Sequence, residues 1–130
     1  MRSRTIHARW AGGLRSQVQA GRFPLLVDEP ETAGGSDLGP APTDLLLASV
    51  GSCFTLAMAY AAAKRGIEVR DIRVTVTGTY DGMRFGAMDI TVAADVPTSL
   101  LRELVEGAER VCYVTNTLRN GPQITVSVAA

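Results

Sequence analysis

The feature that most constrains the fold is an uncharged stretch in the middle of the chain. From Leu45 to Ala63 the sequence reads LLLASVGSCFTLAMAYAAA, with Cys53 near its centre. A stretch of this length could cross a bilayer, which takes about 20 apolar residues in a helix. Much of it is Ala, Gly, Ser or Thr, so it is less hydrophobic than a Leu- and Ile-rich membrane span. We therefore predict a helix inside a soluble protein, buried on nearly every side.

The residues that flank this stretch predict where the helix begins and ends. Pro42 is favoured in the first turn of a helix, and Asp44 would lie close to the positive end of the helix dipole. Lys64 and Arg65 are cations suited to a last turn, and Gly66 is a typical C-terminal cap. The sequence therefore predicts a helix that runs from about Pro42 to about Lys64.

Length and composition predict one soluble domain over residues 1–130. The chain is 46% hydrophobic and balances 13 basic against 13 acidic residues. This balance gives no electrostatic basis for binding nucleic acid or a membrane surface. With two cysteines, one histidine and no glycine-rich phosphate-binding motif, we expect neither a metal nor a dinucleotide cofactor. Because no secretory signal pattern is present, we expect a cytoplasmic protein.

Alternating apolar and polar residues predict a β-hairpin after the long helix. In RDIRVTVTGTY, the residues Ile72, Val74 and Val76 share one face of a strand. Asp81-Gly82 is a typical turn dipeptide, and MRFGAMDITVAADV then alternates again. The two segments therefore form an antiparallel pair with one apolar face.

The remaining segments predict one more helix, three strands and a long loop. After Pro97, apolar residues recur at helical spacing up to Cys112, and Asn120-Gly121-Pro122 ends this helical region. QITVSV predicts a final strand, while TIHARW and FPLLVD predict strands near the N-terminus. The segment DEPETAGGSDLGPAPT predicts a long loop. Its acidic residues form a solvated face or, alternatively, an interaction loop; these are Asp28, Glu29 and Glu31.

Two cysteine-containing segments resemble the signatures of the OsmC/Ohr family. They are PTDLLLASVGSC, which ends in Cys53, and VCYVTNTLRNG, which contains Cys112. The resemblance implies an α+β fold in which two protomers intertwine, with long cysteine-bearing helices at the centre and antiparallel sheets around them. It also implies thiol-dependent reduction of organic hydroperoxides, in which Cys53 attacks the peroxide and Cys112 closes a disulfide. A dithiol or a lipoylated protein would then reduce the disulfide.

The resemblance also implies a cation beside the reactive sulfur. Peroxide reduction needs a thiolate, and an apolar environment raises the pKa of a cysteine. The family supplies an arginine from the N-terminal turn, and the best match is Arg15 in AGGLRS. Arg22 is a second candidate. The alternative is that Arg15 is an ordinary surface turn residue.

The family glutamate that holds this arginine has no direct counterpart. Its position falls on Thr43, and the neighbouring carboxylate is Asp44. Asp44 either takes over the role or only stabilises the first helical turn. Along a helix, either position lies about 14–15 Å from Cys53, so Asp44 could act on the sulfur only through an arginine or from a partner subunit.

Two functional hypotheses therefore stand. The first is a hydroperoxide reductase for alkyl or lipid hydroperoxides, which we favour. The second is a small-molecule-binding or structural dimer that keeps the fold but has lost efficient peroxidase activity with the family glutamate. For each cysteine the alternative is an inert packing residue, a common role for buried thiols. Tyr113 also departs from the family, which commonly has proline after its second cysteine.

Overall fold

The computed structural model describes residues 2–129 and has the α+β composition that the sequence predicts. The elements in chain order are β1 His7–Trp10, β2 Ser16–Ala20, β3 Phe23–Val27, α1 Pro42–Lys64, β4 Arg73–Asp81, β5 Arg84–Ala93, α2 Thr98–Val111 and α3 Tyr113–Asn120. A short 3-10 helix at Glu31–Ala33 lies between β3 and α1, and β4 and β5 form a hairpin.

The chain divides into two compact units, residues 1–46 and 47–130, and helix α1 continues through the boundary. The N-terminal unit holds an antiparallel sheet in the order β1-β2-β3. The C-terminal unit holds the β4-β5 hairpin and the helices that follow it. The expected single domain over residues 1–130 stays a prediction.

The long loop of the N-terminal unit is organised around a buried carboxylate. Asp28 is fully buried, and its two oxygens accept hydrogen bonds from the backbone N–H groups of Glu29, Ser36 and Leu38, at 2.8, 3.2 and 3.1 Å. The prediction of a solvated acidic face is therefore wrong for Asp28. Five backbone–backbone hydrogen bonds also form within residues 28–40, and the carboxylate satisfies three further N–H groups of the loop.

The hairpin of the C-terminal unit confirms the alternating pattern. Val74 pairs with Val92 and Val76 with Ile90, and these side chains are half-buried while the threonines between them are exposed. The two strands are joined by Gly82 and Met83, one residue later than the predicted turn, and Gly82 has a φ of 63°. Such a positive φ explains why glycine is needed in this tight turn.

Helix α1 has the predicted limits but not the predicted burial. Its buried residues form one stripe: Val50, Phe54, Ala57, Met58, Ala61 and Ala62. On the rest of the helix Leu56 is 70% exposed and Tyr60 is 56% exposed. The expectation of burial on nearly every side is thus wrong for a single chain, because one copy covers only one face. By length and hydropathy α1 could also span a membrane, a test that core helices of soluble proteins pass as well.

The helical region after Pro97 is broken at the second cysteine. Helix α2 ends at Val111, Cys112 has an extended backbone (φ −79°, ψ 103°), and α3 begins at Tyr113. The predicted single helix is therefore two helices. The core of this unit packs α1 against α2, where Met58 and Leu104 are fully buried, and includes Cys112.

The predicted final strand is wrong. Residues 121–129 have no regular secondary structure, and Ile124, Val126 and Val128 are at least 83% exposed. A strand requires a neighbour to accept and donate its backbone hydrogen bonds, and within residues 2–129 no strand pairs with this segment. The alternating sequence is present without the partner that would make it a strand.

Candidate active site

The first cysteine lies where a solvent-accessible cavity meets the core. Cys53 is on the middle of α1, half-buried, and packs against the core cluster around Met58 and Leu104. Its side chain also borders a cavity of about 700 Å³. The cavity is lined by residues of α1, α2 and α3: Cys53, Leu56, Ala57, Tyr60, Arg110, Val111, Tyr113 and Asn116.

The second cysteine lies next to the first but is sealed from solvent. Cys112 has no exposed surface and occupies the N-cap position of α3, immediately after α2. Cys53 packs against the core cluster that contains Cys112, each thiol shifts the pKa of the other, and both cysteines are free. The structure therefore brings together the two cysteines that the sequence singled out, and only Cys53 borders the cavity.

The surroundings of Cys53 hold its proton on the sulfur. Burial raises the pKa of Cys53, and the hydrogen bond and the charge of Cys112 raise it further. The backbone N–H groups of Val114 and Tyr113, at the start of α3, oppose this rise without cancelling it. A thiol with a raised pKa is present at neutral pH mainly in its protonated form.

The surroundings of Cys112 favour the thiolate. Burial alone would raise the pKa of Cys112, but hydrogen bonds from the Thr115 hydroxyl, the Thr115 backbone N–H, the Cys53 thiol and the Val114 N–H outweigh it, so the pKa is lowered. Cysteines at helix N-termini commonly show this effect. In the reduced pair, the negative charge is therefore favoured on the buried sulfur.

The arginine and carboxylate predicted to support the thiolate lie in the N-terminal unit. Arg15 is half-buried, its Nη1 donates to the Ser36 hydroxyl at 3.3 Å, and its charge helps to lower the pKa of Asp28. Arg22 lies over the Phe23 ring at 5.1 Å. Asp44 is exposed in the first turn of α1. The catalytic roles of Arg15 and Asp44 stay predictions.

Four polar residues of the site were not found from the sequence. Thr115 is buried beside Cys112, while Tyr60, Arg110 and Asn116 border the cavity. Thr115 stands three residues after Cys112, the spacing of an N-cap and its N3 residue, which could have identified it had the helix break been recognised. Tyr113, where the family commonly has proline, is 71% exposed and lines the cavity.

Comparison with known proteins identifies the family. The family model described as OsmC-like protein matches residues 34–127, which include both cysteines, and the chain therefore belongs to the OsmC-like family. An uncharacterized protein of Haloferax volcanii is 27% identical over 120 residues, covering 89% of this chain and 87% of that protein.

Solved structures share the fold. An organic hydroperoxide resistance protein from Elizabethkingia anophelis is 25% identical with a TM-score of 0.64, and the match covers 89% of each chain. An organic hydroperoxide resistance protein OsmC from Legionella pneumophila is 21% identical with a TM-score of 0.65, covering 92% of this chain and 90% of that one. A hypothetical protein from Aquifex aeolicus reaches a TM-score of 0.77 at 20% identity, covering 93% and 90%. These likenesses confirm the predicted α+β fold.

Proposed function

We propose that this protein reduces organic hydroperoxides with Cys53 and Cys112 as a redox pair. The observation that carries the proposal is the placement of the two sulfurs. The two thiols lie in one cluster and each shifts the pKa of the other, and of the two only Cys53 borders the cavity, which is large enough for a small organic substrate. Membership of the OsmC-like family supports the same activity, as does the likeness to two organic hydroperoxide resistance proteins of known structure.

The proposed reaction has two steps. The thiolate form of Cys53 attacks the outer oxygen of the hydroperoxide, the O–O bond breaks, and the leaving alkoxide takes up a proton to become an alcohol. This leaves a sulfenic acid on Cys53. The Cys112 thiolate then attacks the Cys53 sulfur, an S–S bond forms, and hydroxide leaves and is protonated to water. Two thiols are oxidised by two electrons, and one peroxide is reduced.

The lining of the cavity supports an alkyl or lipid hydroperoxide as substrate. Leu56, Ala57 and Val111 supply apolar walls, and the aromatic rings of Tyr60 and Tyr113 extend them. Such walls gain free energy by covering a hydrocarbon chain but gain none from hydrogen peroxide. A dithiol or a lipoylated protein in the cytoplasm would return the disulfide to two thiols.

We further propose that the protein acts as a homodimer. Only 28% of the residues in the most hydrophobic 18-residue segment of α1 are buried. The alternating tail from Ile124 to Val128 is exposed, and no strand within residues 2–129 pairs with it. A second copy would cover both apolar surfaces. Light scattering should give about twice the chain mass of 13.8 kDa, and a value equal to one chain would contradict the dimer.

The supporting cation we propose is Arg15, oriented by Asp44, as the family resemblance implies. Asp44→Asn should then slow the oxidation of Cys53 several-fold, because a charge-assisted hydrogen bond to the guanidinium is lost, and Thr43→Glu should leave the rate unchanged or raise it. Equal second-order rates of Cys53 oxidation in all three proteins would contradict a role for Asp44.

The raised pKa of Cys53 favours a second candidate function. A protonated thiol reacts slowly with peroxides, so the same pocket would suit an OsmC-like dimer that binds an apolar small molecule without efficient turnover. In that case the cavity would still bind such a ligand, but peroxide would not be consumed.

A turnover assay separates the two functions. The full chain is mixed with cumene hydroperoxide and dihydrolipoamide, and peroxide loss is followed beside Cys53→Ser as the matched control. We expect turnover by the parent and only the background rate in Cys53→Ser. Parent and control at the same background rate would contradict the peroxidase and leave the binding function.

A further inference from the structure

Thr115 is a buried hydroxyl in direct contact with the second cysteine. It is 6% exposed, and within residues 2–129 it and Asp28 are the two polar residues that are buried. Thr115 occupies the third position of α3, counted from Tyr113, and Cys112 is the N-cap of that helix. Its Oγ1 donates a hydrogen bond to the Cys112 carbonyl oxygen at 3.4 Å, and the hydroxyl also helps to lower the pKa of the neighbouring Cys112 thiol.

This placement gives the hydroxyl proton two neighbouring acceptors. One is the Cys112 sulfur and the other is the Cys112 carbonyl oxygen. A 3.4 Å contact to a neutral carbonyl is weak, whereas a thiolate is a strong, charged acceptor. The hydroxyl would therefore turn to the sulfur while Cys112 is ionised and return to the carbonyl once the sulfur has lost its charge in a disulfide.

We propose that Thr115 is a positioning residue for disulfide closure, holding the Cys112 sulfur as a thiolate directed at Cys53. This inference rests on the proposed peroxidase function. In the step concerned, the Cys112 thiolate attacks the sulfur of the Cys53 sulfenic acid. The S–S bond forms, the S–O bond breaks, and the leaving hydroxide is protonated to water by solvent. The hydroperoxide has already supplied the oxidising equivalents.

Most of the groups that favour ionisation of Cys112 belong to the start of α3. From α1 the titratable group that faces it is Cys53, and the hairpin contributes apolar Val74, Ile90 and Val92 to the surrounding cluster. Helix α2 contributes apolar Leu104 and Ala108. The remaining polar side chains nearby line the cavity on the Cys53 side; these are Tyr60, Arg110, Tyr113 and Asn116. Burial alone would raise the pKa of Cys112, so its ionisation depends on the start of α3.

The test compares Thr115→Val with Thr115→Ser in the full chain. Valine keeps the shape of threonine but has no hydroxyl, whereas serine keeps the hydroxyl. Reduced protein is mixed with one equivalent of cumene hydroperoxide, and the conversion of the Cys53 sulfenic acid into disulfide is timed by quenching, dimedone trapping and mass spectrometry across pH.

We expect the valine variant to close its disulfide about tenfold more slowly at neutral pH, since the closure rate follows the thiolate fraction of Cys112. Its rate should rise with pH along a curve displaced to higher pH, and more Cys53 should be overoxidised. The serine variant should match the parent. A purely structural role for Thr115 would change the rate without displacing the pH profile.

Three outcomes would overturn the proposal. One is a valine variant whose closure rate and pH profile match the parent, and another is a serine variant as slow as valine. The third is a parent that forms no sulfenic acid on Cys53, which would remove the peroxidase function together with this inference. If circular dichroism shows that the valine variant is unfolded, Thr115→Ala provides the hydroxyl-free protein. In a Cys53→Ser background, thiolate absorbance against pH then measures the ionisation of Cys112 directly.

Discussion

Two regions of the molecule surround a buried acidic group with backbone N–H donors, and they use it differently. In the N-terminal unit, the Asp28 carboxylate receives three backbone hydrogen bonds from its own loop. In the C-terminal unit, the backbone N–H groups and the Thr115 hydroxyl at the start of α3 lower the pKa of the Cys112 thiol. Both groups are fully buried, and both have a lowered pKa despite their burial.

The difference lies in what stands next to each group. Asp28 is surrounded by loop backbone and is influenced by the charge of Arg15, and its hydrogen bonds hold residues 28–38 in place. Cys112 has a second titratable sulfur beside it, and that sulfur borders a cavity. The same local electrostatics therefore stabilises a loop in one region and, in the proposed reaction, would prepare a redox pair in the other. A buried charge becomes functional when a reactive neighbour is accessible to a substrate.

The largest effect we expect is a loss of thermal stability when Asp28 is replaced. Asp28→Asn replaces one acceptor oxygen by an amide that faces backbone N–H groups, leaving buried donors without partners. We expect the melting temperature to fall by about 5 °C or more, with faster amide exchange of Ser36 and Leu38. Asp37→Asn, an exposed change in the same loop, is the matched control and should melt like the parent.

The sign of the pH dependence follows from the lowered pKa of Asp28. Burial raises this pKa, but the hydrogen bonds from Leu38, Ser36 and Glu29 and the charge of Arg15 outweigh it. The stabilisation is complete above the ordinary value of 3.8 and is lost as the pH falls through the folded value. The parent should therefore lose more of its melting temperature than Asp28→Asn on acidification from about pH 5 to about pH 3. Equal acid losses in both proteins would contradict this role.

A smaller effect, on the reactivity of Cys53, is expected when Tyr113 is replaced. Tyr113 is the first residue of α3, where proline is well tolerated, and the extended backbone of Cys112 suits a residue before proline. Tyr113→Pro removes one N–H that opposes the high pKa of Cys53. We expect alkylation of Cys53 by iodoacetamide near neutral pH to slow by about twofold, in line with its smaller thiolate fraction.

The control for this change is Tyr113→Phe, which keeps the N–H and should react at the parent rate. A proline variant that reacts as fast as the phenylalanine variant would show that this backbone donor does not influence Cys53.

The elements with strong local signals were predictable from the sequence. Pro42, Lys64 and Gly66 predicted the limits of α1, and the alternation around Val74 and Val92 predicted the hairpin. The two cysteine signatures predicted the family, which the match over residues 34–127 confirms.

Features that depend on contacts distant in sequence were not predictable. The apolar spacing before Cys112 continues without interruption, so nothing in that pattern reveals that the backbone leaves the helix there. Asp28 is surrounded by loop residues typical of a solvated segment, and its burial depends on N–H groups eight and ten residues away. The tail from Ile124 to Val128 has a strand pattern, but a strand also needs a partner.

The central claim is that Cys53 and Cys112 form one redox pair, and mapping their oxidation states tests it most directly. The reduced full chain is treated with one equivalent of cumene hydroperoxide, and its peptides are analysed without reductant. The account predicts an intramolecular Cys53–Cys112 disulfide and one equivalent of cumyl alcohol. Overoxidised Cys53 beside an unmodified Cys112 thiol, or two unmodified thiols with the peroxide intact, would contradict it.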